Sequence, residues 1–132
     1  MRSPFSFRIG RRSEGASTTA TINETEYLRE NHDFKLILAY HTQGKEIYWQ
    51  FQNYATQRAR TIGEQFSNVS GYRLADVPFN SSFAGYKDWF ILNYNRPGFT
   101  IEVGLGENPI PISQFASIYR ENLGILITGL IQ

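Results

Sequence analysis

Two short apolar runs, FKLILAY at residues 34–40 and FTIEVG at residues 99–104, most constrain the fold of this chain. Both are shorter than an ordinary helix and read as buried strands. Helix-compatible segments alternate with them. Residues 22–32 carry Glu24, Glu26, Leu28, Arg29 and Glu30 and close at Asp33. Asn53 is a candidate N-cap for a helix with Ala55, Ala59, Ile62 and Phe66 on one stripe, ending near Ser70-Gly71 where glycine supplies the cap. Residues 85–94 read as a short amphipathic helix, and Ser113 caps a last one with Phe115, Tyr119, Leu123, Leu126 and Leu130 facing inward. Residues 45–51 and 72–77 are short extended pieces, 78–84 a loop, and Asn95-Arg96-Pro97-Gly98 a turn. Helices alternating with short apolar strands predict an α/β architecture. In open α/β sheets the chemistry lies beyond the carboxyl ends of strands.

Bulk properties narrow the function. A length of 132 residues allows one domain with a sizeable core. The net charge of +1 argues against a nucleic-acid module, which needs a basic face. With no cysteine there is neither a disulfide framework nor a Cys-ligated zinc site. The longest apolar stretch, residues 123–131, is about half of the ~20 residues a membrane span needs. Residues 1–21 are rich in Arg, Ser and Thr and lack apolar periodicity, so they read as a disordered or non-native leader, with a targeting segment as the alternative. The expected domain occupies residues 22–132. Neither a secretory signal nor a membrane span is expected, and the compartment stays open.

Two ionisable residues stand out. His41 follows the first strand directly, at its carboxyl end. Glu102 lies inside the second, where Phe99, Ile101 and Val103 alternate with Thr100, Glu102 and Gly104. The carboxylate thus shares a face with small residues, which leaves room above it for a cleft. Such a group can serve as general base; the alternative is a solvent-facing glutamate on an edge strand. His41 can ligate a metal or be a satisfied loop histidine. The other imidazole, His32, is expected at a helix C-terminus, favourably placed in the helix dipole. Seven residues of strand at ~3.3 Å each would hold it roughly 20 Å or more from His41.

Three motifs then carry a resemblance, covering about residues 27–130. Leu38-Ala39-Tyr40-His41-Thr42-Gln43-Gly44, Asp88-Trp89 fourteen residues before Glu102, and Phe99-Thr100-Ile101-Glu102-Val103-Gly104 resemble, in order and spacing, the C-terminal half of the zinc metallocarboxypeptidases of the carboxypeptidase A/B type. Within that family the chain is most similar to the bacterial branch that cleaves γ-D-glutamyl-diaminopimelate bonds in cell-wall peptides. The resemblance implies a mostly parallel mixed sheet flanked by helices. It implies zinc as cofactor, His41 as a zinc ligand and Glu102 as general base. Peptide or peptidoglycan stem-peptide substrates follow from it. It implies substrate-binding positions for Lys87 and Asn80: Lys87 stands where the family carries the base of its specificity pocket, and Asn80 where classical members have a mobile tyrosine. A lysine at the pocket base favours an acidic side chain or the second carboxylate of diaminopimelate; the alternative is an exposed helix lysine.

The departures matter equally. The family's HxxE ligand pair, its upstream Arg and its Asn-Arg pair have no counterpart, so one ligand is expected here and two from a complementary N-terminal half. By itself the chain is expected to be inactive, with partly uncovered strands. A remnant that binds peptidoglycan peptides without hydrolysis, and a plain α/β domain with packed polar residues, are the rival readings.

Overall fold

The computed structural model describes Tyr27 and residues 31–78 and 85–132. It divides into two compact units, Met1–Phe34 and Lys35–Gln132. In the first, Tyr27 and Asn31 are helical, and the Asn31 amide donates to the Tyr27 carbonyl at 2.8 Å. His32 lies exposed just beyond, its ring 5.7 Å from that of Phe34. The expected leader and most of the expected 22–32 helix fall outside the described residues.

The second unit is a four-stranded sheet with helices: β1 (Ile37–His41), β2 (Glu46–Tyr48), α1 (Ala59–Ser70), β3 (Arg73–Ala75), α2 (Tyr86–Tyr94), β4 (Gly98–Glu102) and α3 (Phe115–Leu130). The sheet order is β1-β4-β2-β3. The β1–β4 and β2–β3 pairs are parallel and β2–β4 is antiparallel, so the sheet is mixed and mostly parallel. Period-two alternation sorts the side chains. Phe99, Ile101 and Ile47 turn to one face and join Ile62, Phe66, Tyr72 and Ile125 in the core, with Phe66 edge-on to Phe99 at 5.0 Å. Gly98, Thr100 and Glu102 turn to the other face, where Ile37 and Ile91 meet Gly98 and α2 packs on β1 and β4. Among the described residues no helix is long and apolar enough to cross a membrane.

Three expectations need correction. The α1 stripe of Ala59, Ile62 and Phe66 is buried, and Gly71 (φ 75°) closes the helix by donating to the Ser67 carbonyl. Its start lies six residues beyond Asn53, however, because Phe51 and Tyr54 exchange backbone hydrogen bonds and Gln52 and Arg58 adopt positive φ. That reversal holds residues 51–54 out of a helix. On α2, Lys87 and Asp88 are buried beside Phe90 and Ile91, so its inward side is not a simple apolar stripe.

The third correction is the largest. On α3 the stripe expected to face inward is exposed: Phe115 62%, Tyr119 55%, Leu123 41%, Leu126 43% and Leu130 87%. Asn122 and Ile125 are buried instead, and Ser113 lies in a 3-10 turn, Ile112–Gln114, ahead of the helix. Small residues decide the orientation. A Cβ at Gly124 would lie 3.0 Å from the Val69 Cβ, and one at Gly129 would touch Phe66, so α3 presents glycines to α1 to approach it closely. The Asn122 amide also donates to the Tyr72 hydroxyl at 3.0 Å. The outward apolar face should therefore contribute little to folding. Ile127→Lys with Leu130→Glu is expected to shift unfolding free energy by no more than about 0.5 kcal/mol per site while raising solubility, measured by urea denaturation and light scattering.

Candidate active site

The site grows from strand register. His41 closes β1 opposite Glu102 of β4, and Glu102 stands opposite Glu46 of β2, which in turn faces Arg73 of β3. Residues paired directly across strands project to the same face. A transverse row His41–Glu102–Glu46–Arg73 therefore crosses one end of the sheet. His41 lies in the strand's last position rather than in the loop after it. Its carbonyl accepts from the Val103 amide at 2.8 Å. The loop that follows is tied at several points. Gly44 N–H donates to the Gly104 carbonyl at 2.9 Å, Thr42 Oγ1 donates to Asn108 Oδ1 at 2.7 Å, and Asn108 Nδ2 returns a bond to the Thr42 carbonyl at 3.2 Å. Lys45 pairs with Glu121 at 2.5 Å, and the Tyr72 hydroxyl donates to the same carboxylate.

A cleft of about 460 Å³ opens over the His41–Glu102 end of this row, lined among others by His41, Tyr48, Lys87, Asp88, Thr100 and Glu102. This volume lies within the usual range for small-ligand pockets. Glu102 is half-buried, and its buried Oε2 has no hydrogen-bond partner among the described residues. Desolvation raises its pKa above the ordinary carboxylate value; the His41 charge opposes that rise and Glu46 adds to it. Glu46 differs because both its oxygens are engaged, Oε2 by the Tyr48 hydroxyl and Oε1 by Arg73. The Tyr48 hydrogen bond, with help from Arg73, holds Glu46 below the usual range despite desolvation. The same bond pushes Tyr48 up to about 12. Two neighbouring carboxylates are thus driven apart in character, one tied and anionic, the other with an unbonded buried oxygen and readier to take a proton.

The sign of the Glu46 shift makes a prediction. Its folded pKa lies below the ordinary value of 4.5, so its stabilising contribution is complete above that pH and is lost as pH falls through the folded value. Glu102 runs the other way, its burial cost being relieved by protonation. Urea midpoints measured across pH should fall below pH ~4.5, and fall less steeply in Glu46→Gln.

Lys87 is 3% exposed, which excludes the exposed-lysine alternative. Its Nζ donates to the Gln50 carbonyl at 2.6 Å and to Asp88 Oδ1. Asp88 Oδ2 accepts from the Gly85 N–H at 3.2 Å, which fixes the carboxylate at the first turn of α2. Asn80 lies outside the described residues. Sequence reasoning passed over Glu46, Tyr48 and the Asp88 pairing. The alternation Glu46-Ile47-Tyr48 in a short strand was the available signal, since it sets both polar residues on one face. Among the described residues no group of three His, Cys, Asp or Glu could hold a metal ion.

No family model matches the sequence. The chain is 50% identical over 103 residues, 78% of its length, to the gamma-D-glutamyl-L-diamino acid endopeptidase 1 of Lysinibacillus sphaericus, of which it covers 26%. It is 41% identical over 90 residues, 68% of its length, to the uncharacterized protein YqgT of Bacillus subtilis (strain 168), of which it covers 24%. The chain spans about a quarter of the length of these curated relatives and, across most of its own length, is similar to a segment of the Lysinibacillus sphaericus peptidase.

Proposed function

We propose that this chain carries part of the catalytic centre of a cell-wall peptidase that cleaves the bond between a γ-glutamyl group and a diamino acid, of the zinc metallocarboxypeptidase type. The observation that supports it best is the pairing of His41 with Glu102 at one end of the sheet, with both facing the cleft. The bond type comes from the name of the Lysinibacillus sphaericus relative. Glu102 takes a proton from the attacking water and passes it to the leaving amine. Its desolvated carboxylate, with Oε2 unbonded among the described residues, suits that task, because a general base works best with a pKa raised toward neutrality. Lys87 and, by position, Asn80 belong to the substrate side.

Catalytic zinc takes three protein ligands. The described residues supply one imidazole at the cleft and no three-ligand group, so they do not fit the ion by themselves. Zinc enters the proposal only with two further ligands from polypeptide outside these residues. A binding module that grips the same peptides without cutting them is the second reading, favoured by a formed cleft beside an incomplete ligand set.

A chimera separates the two. This chain would replace the matching 103 residues of the Lysinibacillus sphaericus endopeptidase. Release of the diamino acid from a γ-D-glutamyl-diaminopimelate peptide is expected. A folded chimera that binds the peptide and releases nothing supports the binding module and ends the catalytic reading.

A further inference from the structure

The floor of the cleft does not carry the charge its sequence suggests. Lys87, read as a lone cation, would draw an acidic side chain. The structure sets it against Asp88, with both side chains at least nine-tenths buried and both lining the cleft. The pair is close to neutral overall but strongly dipolar. An ammonium has three donors, and two are taken, by the Gln50 carbonyl and Asp88. A carboxylate has about four acceptor sites, and the Asp88 oxygens are bonded to Lys87 and the Gly85 N–H. Each group therefore keeps hydrogen-bonding capacity for a ligand.

We propose that Asp88 is a specificity-determining residue that acts with Lys87, so that the cleft floor reads a side-chain end bearing both an ammonium and a carboxylate. Lys87 takes the ligand carboxylate and Asp88 the ligand ammonium. A singly charged end satisfies one partner and leaves the other facing a desolvated, unmatched group, which is costly in a buried site. A doubly charged end extends the existing pair into a four-membered alternation of charge. The inference rests on the cleft being the substrate cleft proposed above. It refines the expectation from sequence that Lys87 favours an acidic side chain or the second carboxylate of diaminopimelate.

The test uses the 132-residue chain and three matched amino acids acetylated at the L-centre α-amine, so that only the far end can bear an ammonium: meso-diaminopimelate, L-lysine, which lacks the far carboxylate, and L-2-aminopimelate, which lacks the far ammonium. Titrations followed by amide NMR shifts around Gly85 and Asp88 are expected to show diaminopimelate binding at least roughly tenfold more tightly than either analogue. In Asp88→Asn the preference for diaminopimelate over 2-aminopimelate should vanish, while that over lysine remains. If that variant does not fold, the wild-type ranking decides alone. Equal binding of either analogue, or no shift with diaminopimelate, overturns the proposal. The ranking needs no hydrolysis, so a chimera that fails to cleave ends the catalytic reading without touching it. A chimera that cleaves lysine and diaminopimelate peptides equally ends this inference and leaves the catalytic reading intact.

Discussion

Glu102→Gln in the chimeric peptidase is expected to lower turnover of a γ-D-glutamyl-diaminopimelate peptide by about 10²–10⁴-fold, with KM little changed. The amide keeps the shape of the side chain and cannot accept the proton. The loss should fall on the chemical step because, among the described residues, Glu102 Oε2 makes no hydrogen bond that the substitution could break. Stability should move the other way. Glu102 is a desolvated carboxylate, so neutralising it removes a burial cost and the repulsion from Glu46, which together outweigh the lost attraction to His41. A variant that is at least as stable as its parent, yet nearly inactive, is the signature of a base held ready at the expense of folding. Stopped assays on matched protein, with urea midpoints alongside, measure both. Undiminished turnover in Glu102→Gln would remove Glu102 from the chemistry.

Asp88→Ala is expected to destabilise the chain by about 3–5 kcal/mol, the usual cost of breaking a buried ion pair by deleting one partner. The Lys87 ammonium would stay buried with the Gln50 carbonyl as its remaining partner, and the Gly85 N–H would lose its acceptor at the start of α2. The double replacement Lys87→Met/Asp88→Leu should recover most of that loss, because well-packed apolar groups of similar volume often match a buried pair in stability. Guanidinium denaturation of the wild type, Lys87→Met, Asp88→Leu and their double variant gives the coupling directly. If the double variant stays as unstable as Asp88→Ala, the helix-start bond to Gly85 is the source of the loss, rather than the stranded charge.

Much of the frame was legible in local pattern. The two apolar runs became β1 and β4, the alternation in FTIEVG sent Glu102 to the face opposite Phe99 and Ile101, and the α1 stripe from Ala59 onward and its glycine stop stand as read, while Ala55 lies exposed ahead of the helix. These features depend on period, turn residues and short-range sterics, which neighbouring residues dictate. The α3 stripe failed for the converse reason. Its longest apolar face was legible, but which face turns inward depended on how closely Gly124 and Gly129 let it approach α1 and on where Asn122 met Tyr72.

The same division runs through the site. By itself the sequence determined that an imidazole would end one strand and a carboxylate would interrupt another, because both follow from position within a run. Only the tertiary structure decided that β1 and β4 are neighbours in a register that sets His41 against Glu102, and that β2 brings Glu46, held by Tyr48 and Arg73, alongside. It also decided that Lys87 is neutralised by its neighbour in a buried cleft floor. Strand order, register and burial arise from contacts between residues far apart in the chain. They set the local dielectric and the charges within reach, and with them what each ionisable group can do.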